Sequence, residues 1–580
     1  FVNLVFIFLF LIMIKLKNLF KFILQIFFFI SLFNDAHAVK IDQFSRTDKI
    51  SNYFLGTISL NNNDYGNSYK YLKNLIDLES RHSKYSKIYL YTLVNDGRFD
   101  EAYKYAKKIE KINLDNTESD LIIGIYYLKN NKLNLSAKYF QKFKNRNSRN
   151  SVQKLINISL LNWLSYENIS ENDAKKTLEL IPSNFENIKK IQDAFIECFY
   201  NSPNTEKVFK KLINDKKTNF ERYNFFYANY LVSKGNHNKA KKVIRESLSL
   251  NPRNLLLNQF YTDISSKNKN NYKNNFNCKN LSHVVAELFY IMSNALSSQS
   301  AYQASNFYLN LAKYLNPKFI SFETLYAENF LMIKNFSKSK SVYDKIMKSG
   351  NSYEWHASKQ IAYIFEKQKK KEDSLNFLKN SYGNIPKPSV YQTYDYAQFL
   401  KNNEKFDAAI KYYTEVISRI KKDHELYSKV TEGRGVAYER LGKWKEAEKD
   451  LLSSLSVSPN QAYVINYLAY TWIEKGIKIN ESLKMLETAN NLKKGDGYII
   501  DSLGWALFKL KRYDQAKDYL QTAVTIMPTD PTVNDHYGDS LWMNGNKIQA
   551  RYYWEYILTL EDDVSKNLKK RIKKKLLFGI

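Results

Sequence analysis

The side chains of this sequence that could do acid–base or metal chemistry are widely scattered. The seven histidines stand at positions 37, 82, 237, 283, 356, 424 and 536. His536 lies in a run that also holds two carboxylates, Asn534-Asp535-His536-Tyr537-Gly538-Asp539. A histidine near acids could act as a general base or as a metal ligand. A polar residue on a helix of a repeat is the simpler interpretation, and we favour it.

No sequence motif of an enzyme accompanies these residues. The chain has no Walker A loop, no G-x-G-x-x-G turn after a strand, no H-E-x-x-H and no C-x-x-C. The G-x-S-x-G turn that presents a nucleophilic serine is also absent from the sequence. The scattered histidines do not form a metal cluster. We therefore expect a protein that is not an enzyme and that uses no metal and no cofactor.

The two cysteines, Cys198 and Cys278, are not expected to form a disulfide framework, because they fall in different segments of a long chain. Cys198 lies in the apolar helical run 195–199, where a buried small hydrophobic residue is expected.

Composition favours helices and argues against nucleic acid as a partner. The 580 residues include only 17 Gly and 9 Pro, which indicates few special turns. The net charge of +30 is large, but the lysines accompany Asn, Ile, Tyr and Phe along the whole chain. No motif that reads RNA or DNA stands beside them. The charge therefore indicates a basic amino-acid composition along the whole chain rather than a nucleic-acid-binding domain.

The beginning of the sequence resembles a secretory signal. Phe1 is not an initiator, and we place the true start at Met13. A basic region is followed by the apolar run 22–33 and by Ala36-His37-Ala38, which matches an A-x-A cleavage site. We expect residues 1–38 to be a signal peptide and the chain to be exported to the periplasm or envelope. An uncleaved N-terminal anchor is the alternative. No cysteine follows the apolar run to carry a lipid.

The last third of the chain repeats itself with a period near 34. A first small residue recurs at intervals of 34, 35 and 34, and a second follows it at 12 or 13 residues. A bulky residue comes four positions after the second. Small residues let two antiparallel helices approach, and the bulky one fills the space between them. One such unit cannot bury its apolar face, so consecutive units must stack. The three sets are Gly435, Ala469, Gly504 and Gly538; Ala447, Ser482, Ala516 and Ala550; and Leu451, Leu486, Leu520 and Trp554.

This pattern resembles the tetratricopeptide (TPR) repeat, W-x2-L-G-x2-Y…A-x3-F…P. Arg434-Gly435-Val436-Ala437-Tyr438 carries the glycine and the tyrosine of that motif, and Pro459 and Pro528 close two units. The resemblance implies an all-α, right-handed α-solenoid of TPR-like helical hairpins. It covers residues 390–560 firmly and the earlier chain weakly.

The remaining chain divides as follows in this interpretation. Residues 39–264 form a degenerate TPR-like solenoid in which 150–215 cannot be phased, and the Asn/Lys-rich stretch 265–280 is a linker between two arms. Residues 281–388 are divergent TPR-like units, 389–560 are the C-terminal array, and 561–580 are a basic tail. The tail is expected to cap the solenoid; the alternatives are that it lies on an anionic membrane or folds back on the groove and regulates it.

The resemblance also implies that the first helix of each unit lines a concave groove that binds partners. By repeat register this groove combines an acidic row with an aromatic one, as peptide-binding surfaces do. We expect a peptide segment or helix, basic or neutral, as the partner; the alternative is that the acids only cap helices and solvate the surface. The candidate groove residues are Glu432, Asn466, Tyr470, Asp501, Trp505, Phe508, Asp535, Asp539 and Trp542.

The function expected from the resemblance is that of a protein-binding scaffold or adaptor of a bacterial-type cell envelope. The segment 501–505 and the run that follows it resemble the C-terminal repeats of envelope TPR proteins. The alternative is a TPR arm of an exopolysaccharide or envelope-assembly system that binds a glycan or a membrane surface. Fold alone does not name the partner.

Overall fold

The computed structural model of the chain describes residues 42–145, 151–266, 275–560 and 564–580. The expected signal peptide, 1–38, lies outside these ranges. Over the described residues the protein has thirty α-helices, four short 3-10 segments and no β-strand, which confirms the all-α prediction. None of the helices in these ranges combines the length and the apolar character needed to span a membrane.

The chain forms two units, which divide between Gly350 and Asn351. The first unit is built from eight helical hairpins, with the unpaired helix α13 before the last two. Its helices are α1 (Asp42–Asn61), α2 (Tyr65–Leu72), α3 (Ser83–Asn95), α4 (Phe99–Lys111), α5 (Thr117–Lys129), α6 (Leu133–Asn145), α7 (Ser151–Ser165), α8 (Glu171–Thr177), α9 (Glu186–Tyr200), α10 (Thr205–Ile213), α11 (Glu221–Ser233), α12 (His237–Leu250), α13 (Leu255–Ser265), α14 (Leu281–Ser298), α15 (Tyr302–Leu315), α16 (Ser321–Met332) and α17 (Phe336–Ile346).

The second unit consists of six hairpins and one terminal helix. Its helices are α18 (Asn351–Lys367), α19 (Lys371–Gly383), α20 (Val390–Asn402), α21 (Phe406–Arg419), α22 (Tyr427–Arg440), α23 (Trp444–Val457), α24 (Ala462–Glu474), α25 (Ile479–Leu492), α26 (Gly497–Lys509), α27 (Tyr513–Ile526), α28 (Pro531–Met543), α29 (Lys547–Thr559) and α30 (Lys566–Phe578).

The small and bulky positions of the repeat meet as the sequence predicts. A Cβ atom added to Gly504 would lie 2.7 Å from Cγ of Leu520, the bulky residue sixteen positions later. The same clash would arise between Gly538 and Trp554, and in the first unit between Gly124 and Phe140. Each glycine therefore lets the second helix lie close against the first, with the bulky side chain seated on its Cα.

Serine at the second small position adds a hydrogen bond to this contact. The Ser136 hydroxyl donates to the carbonyl oxygen of Gly124 over 2.8 Å. The Ser305, Ser339 and Ser374 hydroxyls donate in the same way to the carbonyl oxygens of Ser293, Ala327 and Ala362, each twelve residues earlier. Because all these groups are buried, the bonds link the two helices of a hairpin where water cannot compete.

The first unit closes on itself. Its hairpin α14/α15 packs against the first helices α3, α5 and α7, which lie more than a hundred residues earlier in the chain. Phe307 of α15 stacks on Tyr91 of α3 with ring centroids 4.3 Å apart. The Gln303 side-chain amide donates to the carbonyl oxygen of Leu60 over 3.1 Å. The face that these first helices share is therefore covered by the chain itself.

Arg222 of α11 also holds α14 in place against the early hairpins. Its guanidinium binds both carboxylate oxygens of Glu287 over 2.6 and 2.8 Å, and it stacks over the ring of Tyr290 at 3.8 Å. Glu287 has no exposed surface, so the pair is desolvated and depends on its two-pronged geometry.

The stretch 265–280 is not the linker that its composition predicts. Residues 267–274 lie outside the described ranges, but Phe276 is buried and packs edge-on against Phe226. The Asn229 side chain donates to the carbonyl oxygen of Phe276 over 2.8 Å. The few apolar residues of a polar stretch thus anchor it within the first unit, and the chain divides later, after Gly350.

The expectation that the cysteines stay apart is also wrong. Cys198, at the end of α9, forms a disulfide with Cys278, and the two Cα atoms lie 6.0 Å apart. Composition gave no reason to pair them, because their proximity arises only when the chain returns to α14.

We expect the disulfide to contribute strongly to the stability of the first unit. It closes a loop with a sequence separation of 80 residues, for which loop-closure entropy gives roughly 4 kcal/mol. Urea titrations of the oxidised and reduced protein should differ by a stability change of this size. A Cys198→Ser/Cys278→Ser double variant should match the reduced protein in stability and lose its response to reductant. Two titratable thiols in protein prepared without reductant would contradict the pairing.

Candidate functional site

The first helices of the second unit line its inner side. The first helices of neighbouring hairpins contact one another, as α20 does with α22, α24 with α26, and α26 with α28. Each second helix instead packs against the first helix that follows it. The side on which like helices approach each other is the inner side of a stack, so the register that predicts the groove residues places them there.

The aromatic residues of this inner side form a stack around His536. The Trp505 ring stacks on His536 with centroids 4.0 Å apart and on Phe508 with centroids 4.8 Å apart. The Trp505 indole N–H donates to Glu474 over 2.6 Å. Trp505 is only 8% exposed, so its ring mostly packs between helices α26 and α28, while Phe508 remains half-buried.

His536 is held by one of the predicted groove acids. Its Nδ1 lies 3.0 Å from both carboxylate oxygens of Asp501, and both side chains are buried. Burial acts to lower the pKa of His536, but the carboxylates of Asp501, Asp535 and Asp539 outweigh it and raise the pKa. The arrangement is therefore an internal ion pair between successive repeats, not a free acid–base group.

Asp535 and Asp539 are neutralised by the terminal helix α30. Lys575 Nζ lies 2.6 Å from Asp535 and 2.5 Å from Asp539, and the Arg571 guanidinium lies 2.6 Å from Asp535. Both carboxylates are buried, as is Lys575. Burial and the neighbouring Asp535 raise the pKa of Asp539, against the attraction of Lys575.

The acidic row is thus divided into an occupied end and an open end. Asp501, Asp535 and Asp539 are taken up by groups of the chain itself, which corrects the expectation that they face a partner. The reason is that the next repeat supplies His536 to Asp501, while the basic tail supplies the counter-charge to Asp535 and Asp539 at the spacing of one further repeat. Glu432 is half-buried, and burial raises its pKa against the opposing field of Lys401.

The terminal helix α30 packs on the last hairpins, as a capping helix would. Ile572 of α30 is fully buried in the core of the last hairpins, and Leu568 and Leu576 pack against that core. Gly579 lies so close to the Trp542 ring that a side chain could not fit between them. Trp542, predicted as a groove residue, therefore lies half-buried under the chain end.

Asn466 and Tyr470 of α24 are the groove residues that this closure leaves available. Both are half-buried, and the Asn466 side-chain oxygen is shielded from solvent without a hydrogen-bond donor within the described residues. Tyr463 and Tyr498, at the starts of α24 and α26, are 51% and 59% exposed. An unsatisfied acceptor next to accessible aromatic rings can bind an amide N–H and an apolar side chain.

The first unit has a cavity of about 610 Å³ at the edge of its covered face. Lys84, Lys87 and Glu118 lie at this cavity with Tyr91 and Phe307, and Lys87 forms an ion pair with Glu118 over 2.9 Å. It is the part of the inner side that α15 leaves unfilled.

Arg571 and Lys575 were missed as members of the site. Arg571 follows Asp535 by 36 residues, and His536 follows Asp501 by 35. Extending the repeat register one unit beyond Leu560 would have placed the basic residues opposite the acids.

Removing Lys575 should strongly destabilise the C-terminal hairpins. Lys575→Met leaves Asp535 and Asp539 buried, with only the exposed Arg571 beside Asp535. We expect the free energy of unfolding to fall by about 3–5 kcal/mol. Lys574→Met on the exposed side of the same helix is the matched control and should change stability by about 0.5 kcal/mol or less. Urea unfolding followed by tryptophan fluorescence measures both, and equal effects of the two variants would contradict the assignment.

The His536 pair should make stability depend on pH. Its folded-state pKa is raised above the ordinary value of about 6.5. Its contribution is therefore complete below about pH 6.5 and is lost as pH rises through the folded-state pKa. The thermal midpoint should be measured for the natural protein and for His536→Gln from pH 5.5 to 9. The difference between the two midpoints should decrease as pH rises above about 6.5. A difference that stays constant would show that folding does not raise the pKa of His536.

The comparisons with known proteins agree with this architecture. Two models described as Tetratricopeptide repeat match residues 332–563 and 221–254. A TPR repeat-containing protein of Pseudomonas aeruginosa is 28% identical over 144 residues, which are 25% of this chain and 23% of that relative. The match thus spans about a quarter of the relative's length.

Among solved structures, a tetratricopeptide repeat protein from Parabacteroides merdae aligns with 16% identity and a TM-score of 0.32, over 38% of this chain and 87% of that one. MamA from Desulfovibrio magneticus aligns with 18% identity and a TM-score of 0.27, over 30% and 97%. The matched family models and the repeating hairpins identify residues 221–254 and 332–563 of the chain as tetratricopeptide repeats.

Proposed function

We propose that this protein is a non-enzymatic scaffold of a bacterial-type cell envelope that holds a segment of a partner polypeptide along the inner side of its second unit. The buried, unsatisfied side-chain oxygen of Asn466 carries this proposal. A buried acceptor without a donor costs free energy. Rotation of the half-buried Asn466 side chain toward the groove would let a backbone N–H of a bound segment satisfy the oxygen and recover that cost on binding.

The open part of the groove provides the rest of the contact. Tyr470 lies one helical turn after Asn466 on α24, and Tyr463 and Tyr498 add accessible rings at the helix starts. Tyrosine offers a large apolar surface and a hydroxyl at little conformational cost, which suits it to the centre of an interface. A partner segment would lie across α22, α24 and α26, because α30 closes the end beyond α28.

The charge of the open part favours a basic or neutral segment. Glu432, Glu439 and Glu474 lie on α22 and α24, and all three keep exposed surface. Glu439 and Glu474 accept hydrogen bonds from Tyr467 and Trp505, which orient the carboxylates; Glu439 also lies 3.6 Å from the guanidinium of Arg440. Complementary charge of this kind governs selectivity and association rate more than affinity.

The envelope location rests on two observations. The N-terminal sequence resembles a signal peptide, and the Cys198–Cys278 disulfide is a bond that persists in exported proteins and is rare in the cytosol. The firm resemblance of the C-terminal repeats to envelope TPR adaptors agrees with both. A cell envelope also contains an anionic membrane surface, which is the alternative contact expected for the basic tail.

Site-specific cross-linking tests the proposed groove. A photo-reactive phenylalanine analogue in place of Tyr470 should form an adduct with a polypeptide when the protein is exposed to an envelope extract. The same analogue at Tyr519, an exposed tyrosine on the second helix α27, is the control and should not. Adducts of equal yield at both positions would contradict a binding site on the inner side.

A binding measurement with the captured segment then tests Asn466. Asn466→Ala should weaken binding about tenfold, as expected when a hydrogen bond worth about 1.4 kcal/mol is lost. Asn491→Ala, on the exposed side of the second helix α25, should leave affinity unchanged. An unchanged dissociation constant for Asn466→Ala would remove the residue from the site.

A further inference from the structure

The terminal helix α30 has a second face that its capping role does not use. Its inward face carries Leu568, Ile572 and Lys575, which are packed on the last hairpins. The opposite face is fully exposed and carries residues spaced at four, three, one and three positions, which form one stripe of a helix. This outer stripe consists of Lys566, Lys570, Lys573, Lys574 and Leu577.

The charge of the outer stripe is not neutralised by any residue that the structure describes. Helix α30 has no acidic residue, and the four lysines of the stripe form no ion pair with any described residue, whereas Arg571 and Lys575 are both paired. Four free ammonium groups therefore lie side by side on one face of a helix that packing holds in place.

An apolar tip continues the outer stripe. Leu577 is 72% exposed, Phe578 76% and Ile580 54%, although each is a large apolar side chain. These three residues directly follow the lysines in the chain. Exposed apolar side chains beside a cationic row are the surface with which peripheral helices bind lipid, with lysines at the headgroups and apolar groups inserted below them.

We infer that the outer stripe and tip of α30 dock the second unit on an anionic lipid surface. The inference rests on the proposed envelope location, in which such a surface is available. Each lysine near an anionic bilayer strengthens binding roughly fivefold, and the apolar tip adds the burial of three side chains. Capping and membrane docking use opposite faces of one helix, so they do not compete, and the groove at Asn466 remains free to bind a partner.

A fluorophore at the tip provides a local test in the full chain. The sequence has two cysteines, and both are in the disulfide, so Ile580→Cys introduces one free thiol for the environment-sensitive dye NBD. Vesicles of phosphatidylcholine with one quarter phosphatidylglycerol should raise the NBD emission severalfold and shift it to the blue. Pure phosphatidylcholine vesicles should not, and salt above 0.5 M should reduce the response.

Matched variants separate this surface from general charge. Lys570→Glu/Lys573→Glu/Lys574→Glu should weaken the response to anionic vesicles by roughly a hundredfold or more. Lys421→Glu/Lys422→Glu/Lys445→Glu changes the net charge equally at exposed lysines elsewhere in the unit and should leave the response intact. A dye at Lys484→Cys should remain in water in every case, which controls for attachment through the N-terminal segment.

Three outcomes would overturn the inference: equal responses to both kinds of vesicle, a response that survives the α30 triple variant, or one lost equally in both triple variants. None of these outcomes bears on the cross-linking of Tyr470. Failure of membrane docking is therefore distinguishable from failure of the proposed protein-binding function.

Discussion

The structure depends on one contact, the bulky side chain of each second helix seated on the small residue of the first. Leu520 on Gly504 and Phe140 on Gly124 show the same geometry in the two units, although the surrounding sequences differ. The contact fixes the distance between the helices of a hairpin and thus the direction in which the next hairpin starts. Ser136 and Ser305, at the second small position of their hairpins, support the same approach through a hydrogen bond to the backbone.

The two units use this common element differently. In the first, the chain returns and covers the inner side of its own early hairpins, fixed by the Arg222–Glu287 pair and the Cys198–Cys278 disulfide. In the second, the terminal helix covers Asp535 and Asp539 of α28, while Asn466 and Tyr470 of α24 keep part of their surface exposed. A solenoid presents its inner side to other proteins only where it does not fill that side itself. The search for a partner site therefore narrows to a few helices of the second unit.

The sequence predicts the hairpins well because a small residue, a bulky residue and a fixed period are local properties. It predicts Gly435, Gly504 and Gly538 as packing positions without any knowledge of the rest of the chain. It fails where distant segments meet. The disulfide and the burial of Phe276 exist only because α14 returns to the early hairpins, and no periodic signal records that return. The groove acids fall between these cases: register places them on the inner side, but the counter-ions of Asp535 and Asp539 come from a helix outside the repeats.

Asp535 and Asp539 give a reason why the inward face of α30 is charged. An apolar cap of the same shape would bury its face at a lower desolvation cost than Lys575 with Asp535 and Asp539, since buried ion pairs are often no more stabilising than apolar residues of similar size. An apolar face, however, would fit many registers along the open end of a solenoid. Lys575 bridges two carboxylates one turn apart on α28, and a shift of α30 that brought Gly579 into the place of Lys575 would leave both without this partner. The charged contact thus favours the observed seating of the cap. That seating turns the remaining lysines away from the protein and keeps them together on one face.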